Sequence, residues 1–441
     1  MGIQTIGLKT IGIHKPKVGL GINWAAYWAG LISATVEQAA PTHVVLTFPT
    51  AQPSLIATDF TIAGFTVNSA SWAGSVLTLV LAETVGYDDV LVVTFVRTGG
   101  TAAVTNNIIP YFITTWNTEN AGSATKTIVI PTTGAGYDAY IDWGDGSAEE
   151  NAVGTPGNIT HVYAITGIKT VKIRGLFPRI YFNNAGDKLK ILTIAQWGNI
   201  VWSSMALAFY GCANLTGTYT DVADTSAVTE MSNMFRSCSV FNSPVNFDTS
   251  NVTLMNSMFN QSSAFNQSVA SFDTAKVASM AYMFNYSSAF NQSVASFDVS
   301  LVTDMTNMFF GAFKMTTANY DALLIAWNAL SVQNSVPFHA GTATYTQTLV
   351  DSGTTDGTTA NKLVDSTQNF VTTVTIGDVI RNTTDGTYAI VTAIDSDTQL
   401  SLSVDIMVSG ENYTIQHSDA AKGRAYLVIT HLWTITDGGP I

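Results

Sequence analysis

Residues 262–273 read SSAFNQSVASFD, and residues 287–298 read SSAFNQSVASFD again, twelve identical letters after a step of 25. Extending the alignment outward brings in MFRSCSVFNSPVNFDTSNVTLM from 234 and a third Met-Phe turn from 283. Met-Phe pairs recur at 234/235, 258/259, 283/284 and 308/309. Phe241, Phe265 and Phe290 form a second column, and Phe247, Phe272 and Phe297 a third. Asp248, Asp273 and Asp298 follow, then Val252, Val277 and Val302. A period of 24 to 25 with apolar letters in register predicts a solenoid, because one turn cannot bury its Met and Phe residues alone. Stacked turns bury them as internal columns, Phe235, Phe259, Phe284 and Phe309 among them, at about 1.5–3 kcal/mol per buried side chain. Asn242, Asn266 and Asn291 predict an amide ladder along the stack. The aspartates are read as caps of the turns that follow them, through local backbone bonds.

A degenerate earlier turn, AFYGCANLTG (208–217), aligns Phe209 with Phe235 and Cys212 with Cys238. The next two turns carry Ser262 and Ser287 there, so both cysteines fall in one column of small residues. Buried thiols are the expectation, with a disulfide as the alternative. Two cysteines support neither a disulfide framework nor a four-ligand zinc site.

Composition frames the rest. The chain has 441 residues, 46% hydrophobic and only 11% charged, well under the usual quarter. Aromatic and β-branched letters are plentiful, which excludes a disordered chain. A net charge of −13 speaks against nucleic acid, since no basic stripe is present to neutralise phosphates. The one basic cluster, Lys9, His14, Lys15 and Lys17, is read as a solvated arm. Residues 18–36 are uncharged and of membrane-span length, but three glycines and several polar letters favour an apolar docking arm over a spanning helix. The N-terminus MGIQTIGLKTIGIHKPK lacks the pattern of a secretory signal.

Between residues 37 and 105, short β-branched runs (Val44–Phe48, Val76–Leu81, Val90–Phe95) are spaced by turn letters. This is the rhythm of a small β-sandwich, and it resembles bacterial immunoglobulin-like modules. Residues 106–176 hold YIDWGDGS (140–147), THVY (160–163) and Gly167. They resemble the PKD-type sandwich, whose W-G-D-G-S turn and H-x-Y strand fall on Asp142, Trp143, Asp145, His161 and Tyr163. The D-G pair supplies a positive-φ turn. Asp142, Asp145, Glu149 and Glu150 offer oxygen ligands to Ca²⁺ as the alternative; the structural role is preferred, and no cofactor is expected.

The repeats, together with FPRIYFNNAGDKLKILTIAQWGNIVW (177–202), ANYDALLIAWNAL (318–330) and GRAYLVITHLWTITDGG (423–439), resemble the BspA-like leucine-rich repeat surface proteins, found on bacterial surfaces and in phage structural proteins. Phe247, Phe272 and Phe297 stand where that family's repeat has Trp. The resemblance covers roughly residues 110–345 and 418–439; with the readings above it gives a mainly β, multidomain chain: an arm (1–36), an Ig-like sandwich (37–105), a PKD-like sandwich (106–176), a solenoid with the start of its C-terminal cap (177–347), an inserted small β-barrel or sandwich (348–416), and the rest of the cap (417–441). Strand-like runs in the insert are Val374–Ile380, Tyr388–Ile394 and Leu400–Val404.

No G-x-S-x-G, H-E-x-x-H or P-loop is present, and the six histidines are scattered at 14, 43, 161, 339, 417 and 431. The acids stand mostly in D-G, D-T-S and S-D turns. The expectation is therefore no enzyme, but a bacteriophage virion component on tail or head. It would dock on other virion proteins through the arm, form a homo-oligomer, and adhere to a host-surface glycan or protein. A bacterial cell-surface adhesin is the alternative, and a polysaccharide depolymerase the third reading. The binding positions assigned are Asn260, Gln261, Asn285 and Tyr286, where the turns differ.

Overall fold

A computed structural model describes residues 31, 33–37, 40–48, 55–82, 91–96, 100–103 and 111–441. The basic cluster and most of the apolar arm lie outside the described residues. Among the described residues strands take 31% and helices 8%, so the protein is mainly β with several sheets. It divides into two compact units, Met1–Pro110 and Tyr111–Ile441.

In the first unit, β1 (Ser33–Glu37), β2 (Ala40–Thr47), β3 (Phe60–Ile62), β4 (Val67–Ala73), β5 (Val76–Leu81), β6 (Val92–Phe95) and β7 (Gly100–Ala103) form two sheets, ordered β1-β2-β5-β4 and β3-β6-β7. Alternation in VLTLVL sends Leu77, Leu79 and Leu81 inward, where they meet Val44, Leu46, Phe60 and Phe95 in one core. Residues 33–36, assigned above to the arm, belong to this sheet instead. Ala34 is buried, and Ser33 to Val36 pair antiparallel with Val44 to Thr47.

The second unit opens with β8 (Phe112–Asn117), β9 (Thr127–Ile130), β10 (Tyr137–Asp142), β11 (Glu150–Gly154), β12 (Ile159–Val162), β13 (Ile168–Leu176), β14 (Ile191–Gln196) and β15 (Thr216–Gly217). The sheet order is β11-β10-β13-β8-β14-β15, with β12-β9 as a second sheet. The boundary drawn at 176/177 is thus crossed by hydrogen bonds. β8 pairs with β14, and β14 pairs in parallel with β15 of the next coil. A buried ion pair reinforces this join. Lys190 Nζ donates to Ser123 O, Ala124 O and Thr127 O at 2.8–3.0 Å and lies 3.8 Å from Asp187. Asp187 accepts from Ser123 N and Val129 N. Both side chains are fully buried, so each charge is tolerated only because these partners replace its water.

From residue 205 the chain runs as stacked coils. Each coil donates four backbone N–H groups to the next: Phe209 to Met234 O, Phe235 to Met258 O, Phe259 to Met283 O and Phe284 to Met308 O, all at 2.8–2.9 Å, with three flanking bonds in each register. Alternate N–H groups point the same way because two residues per coil adopt positive φ. One such column is Leu207, Asn233, Ser257, Tyr282 and Asn307; the other is Gly211, Ser237, Gln261, Tyr286 and Gly311. Inside, Phe209, Phe235, Phe259, Phe284 and Phe309 stack with centroids 5.4–5.9 Å apart and planes within 11°. Phe241, Phe265 and Phe290 form a second stack. The core runs unbroken from Phe112 to Trp433.

Both ends of the stack are closed. Residues 182–184 donate to Ala208 O, Leu207 O and Tyr210 O at the first coil. At the far end β16 (Pro337–His339) accepts from Met305 and Phe309 and pairs with β23 (Thr434–Thr436). Helices α1 (Thr317–Asn328) and α3 (Asp419–Ile429) pack beside it. They cross closely: a Cβ on Gly423 would stand 2.4 Å from Leu324 O.

Between the two halves of this end piece lie β17 (Leu349–Thr354), β18 (Lys362–Val364), the short helix α2 (Phe370–Thr373), β19 (Val379–Asn382), β20 (Tyr388–Ser396), β21 (Gln399–Leu402) and β22 (Asn412–Gln416). They make one six-stranded sheet with its own core. Its two ends meet where Leu349 pairs with Gln416. The strand expected over 374–380 is corrected: Asp378 accepts from Thr375 N in a turn, Gly377 has φ +95°, and the strand begins at Val379.

Phe259→Ala leaves a gap in the inner stack and is expected to destabilise the second unit by about 3–5 kcal/mol. Lys190→Ala strands the Asp187 carboxylate and is expected to cost about 3–5 kcal/mol. Thermal unfolding followed by circular dichroism checks both.

Candidate functional site

The two positive-φ columns run along one face of the stack, and each L residue there costs about 1–2 kcal/mol of backbone strain. Asn, Ser, Gln and Gly fill most of these positions. One coil instead places Tyr282 (φ 59°) and Tyr286 (φ 54°) there, both exposed. A bulky aromatic gives no backbone advantage at such a position, and both rings stand on the surface.

Tyr286 meets Phe310 edge to face at 5.3 Å, and Phe310 meets His339 at 5.1 Å and 86°. Gly311 makes room for this shelf: a Cβ there would lie 2.6 Å from the Tyr286 ring. His339 Nδ1 accepts from Gly341 N, and burial holds its pKa below the ordinary histidine value, favouring the neutral ring. The middle of the face is polar, with Ser237 Oγ donating to Gln261 Oε1 at 2.9 Å. Its other end pairs Arg236 with the Tyr210 ring at 4.9 Å.

Of the four binding positions assigned from the sequence, Gln261 and Tyr286 are exposed. Asn260 and Asn285 are corrected: they are 5% and 6% exposed. Each stands just before a left-handed residue. Asn260 Nδ2 reaches Ser257 Oγ and Asn285 Nδ2 reaches Asn307 O, so both side chains are turned inward rather than presented on the surface. Phe310 and His339 were missed, although the run MFF (308–310) puts a second Phe where the other turns have Arg236, Asn260 and Asn285.

The other assigned residues sit as follows. Asp248, Asp273 and Asp298 each accept, through Oδ1, the N–H two residues on, at 2.8–3.0 Å. Asn242, Asn266 and Asn291 each accept a backbone N–H of the following coil, at Asn266, Asn291 and Thr316. Cys212 and Cys238 are free, buried thiols, and burial pushes both thiol pKa values up.

At the W-G-D-G-S turn, His161 stacks on Trp143 at 4.8 Å and 11°, and its Nε2 lies 2.7 Å from Asp145 Oδ2. Tyr163 donates to Trp143 O. The four acids of that turn are engaged separately: Asp142 with Lys172, Asp145 with Ser147 and His161, Glu149 with Arg174, and Glu150 with Trp143 Nε1. Among the described residues no three His, Cys, Asp or Glu side chains gather as metal ligands, and no helix is long and apolar enough to cross a membrane.

Residues 203–321 match a family model described as a Mycoplasma protein of unknown function, DUF285. The match covers well under half of the chain. No curated protein and no solved structure shows significant similarity to it.

Hydrogen bonds from Ser147 and His161 hold the Asp145 carboxyl well below its ordinary 3.8. The Ser250 hydroxyl and N–H do the same, in direction, for Asp248. A depressed carboxylate stabilises the fold above its unfolded pKa, and that contribution is lost as pH falls through the folded value. The melting temperature is therefore expected to drop on acidification below about pH 4, and to drop less steeply in Asp145→Asn. A pH series of thermal melts reads the difference.

Proposed function

We propose that this chain is a non-enzymatic adhesive structural protein. Its stacked coils form a leucine-rich-repeat-type solenoid, its first sheets an Ig-like sandwich, and residues 111–176 a PKD-like module fused to the solenoid's first coil. The observation that carries the reading is the strained aromatic pair, Tyr282 and Tyr286, exposed beside Phe310 on an otherwise amide- and hydroxyl-covered face. A rigid scaffold that accepts left-handed tyrosines and displays their rings is suited to holding the apolar face of a glycan or the side chains of a host-surface protein. Individual contacts of this kind are weak, and several copies of the chain on one particle would add them through avidity.

The bacteriophage virion as its place rests on the BspA-like resemblance of the repeats. The bacterial cell surface is the second location that this resemblance supports. Mass spectrometry of purified particles and of envelope fractions distinguishes the two: recovery only from the envelope would overturn the virion placement.

The adhesive reading has its own test. Tyr286→Ala and Phe310→Ala lie on exposed rings and are expected to shift the melting temperature little. Together they are expected to lower binding of the purified chain to host cells at least tenfold in a pull-down titration. Unchanged binding would remove the shelf from the function. Release of reducing ends from host capsule would overturn the non-enzymatic reading.

A further inference from the structure

A cavity of about 320 Å³ opens where β14 meets the first coils, away from the aromatic shelf in sequence and in coil number. This is the lower end of the range of about 300–1,000 Å³ seen for ligand pockets. Three aromatic side chains form its wall. Trp197 meets Tyr219 at 5.4 Å and 61°, and Phe247 at 5.7 Å and 87°. Trp197 and Phe247 are buried, and Tyr219 is half-buried. The wall is rigidly held. Asp221 Oδ2 accepts Trp197 N at 3.0 Å and Gly198 N at 2.8 Å, and the Tyr219 hydroxyl donates to Pro244 O at 2.6 Å. Burial pushes the Tyr219 phenol pKa up, so it stays a neutral donor.

Polar groups beside the rings are left with bonding capacity. Asp221 Oδ1 takes only the longer bond from Trp197 N, at 3.2 Å. The Thr220 hydroxyl and the Asn246 carboxamide are exposed at the cavity and, among the described residues, have no hydrogen-bond partner. Trp197 Nε1, on the wall itself, is buried beside the Tyr219 hydroxyl. Among the described residues no lysine or arginine lines the cavity, and Asp221 is the charged side chain on its wall.

We propose that this cavity binds one neutral hexopyranose unit of a glycan. The half-buried Tyr219 ring, backed by the buried Trp197 and Phe247, can pack against the C–H-rich face of a pyranose, whose weakly positive hydrogens meet the ring's negative face. An acceptor-only carboxylate, a carboxamide with both donors and an acceptor, and a hydroxyl match the alternating hydroxyls of a sugar edge. The uncompensated carboxylate disfavours uronic acids, sialic acids and phosphorylated sugars by charge repulsion. This site does not depend on the reading of the aromatic shelf, which lies in later coils.

Saturation-transfer difference NMR on the full chain tests it, with the methyl glycosides of glucose, galactose, mannose and N-acetylglucosamine, and with glucuronic acid, as probes. At least one neutral glycoside is expected to receive saturation, and glucuronic acid none. Two exposed positions supply variants that leave the fold intact. Asn246→Ala is expected to weaken the signal-derived affinity about tenfold, and Val222→Trp, at the cavity's exposed margin, to abolish it. Tyr286→Ala is expected to leave it unchanged. Saturation of none of the neutral probes, equal response to glucuronic acid, or an unaltered titration in Asn246→Ala would each overturn the proposal. A loss in Tyr286→Ala equal to that in Asn246→Ala would also overturn it, by moving the site to the shelf.

Discussion

Four successive coils of the second unit each answer to the next through the same four N–H···O bonds. For the N–H groups of alternate residues to point along the stack, the backbone must flip hand twice per coil. That requirement fixes the bonded segment of each coil, not its whole length. The equivalent Phe209, Phe235, Phe259 and Phe284 stand 26, 24 and 25 residues apart, yet every rung is made, so the residue gained or lost falls outside the bonded segment. Within that segment, an N–H turned away from its rung would be left buried and unpaired, at about 1–3 kcal/mol. Strain accepted at two residues per coil is offset by a ladder that satisfies the rest.

The phenylalanine columns follow from that register. With rungs in line, Phe259 stacks on Phe235 and Phe284 at 5.7–5.9 Å, and meets Phe265 of its own coil at 3.9 Å. Small side chains must then occupy the neighbouring inward column. Cys212, Cys238, Ser262, Ser287 and Ala312 do so, all buried. The serine hydroxyls there donate to Phe235 O and Phe259 O of the preceding coil, which a cysteine thiol does at Phe209 O. The two cysteines are read most simply as members of this column.

Much of this was legible in the letters. Met-Phe pairs, Phe241 and its successors, the Asx turns at Asp248, Asp273 and Asp298, and the Asn242–Asn266–Asn291 series all follow from period and residue type. What was not legible has a physical cause in each case. Asn260 and Asn285 look like turn letters, but only the backbone hand at Gln261 and Tyr286 shows that they fold inward. Strand β1 alternates too briefly to be told from an apolar arm without its partner. The sheet across residues 176–177 joins segments far apart in sequence, and the cavity at Trp197 gathers residues from 197 to 247. Non-local closure of this kind leaves no periodic trace.

The stack is finished at both ends by the chain's own segments, residues 182–184 on one side and β16 with β23 on the other. Rungs at both ends are thus taken up by the chain's own backbone, which blunts the ladder as a template for edge-to-edge growth. Its extent is instead written in the gene. Copying one 25-residue unit, as the repeated SSAFNQSVASFD illustrates, inserts one more phenylalanine layer of 5.4–5.9 Å and leaves both terminations as they are. The molecule is in this sense a ruler with integral graduations: the separation between its two ends can be lengthened or shortened stepwise without redesigning either one.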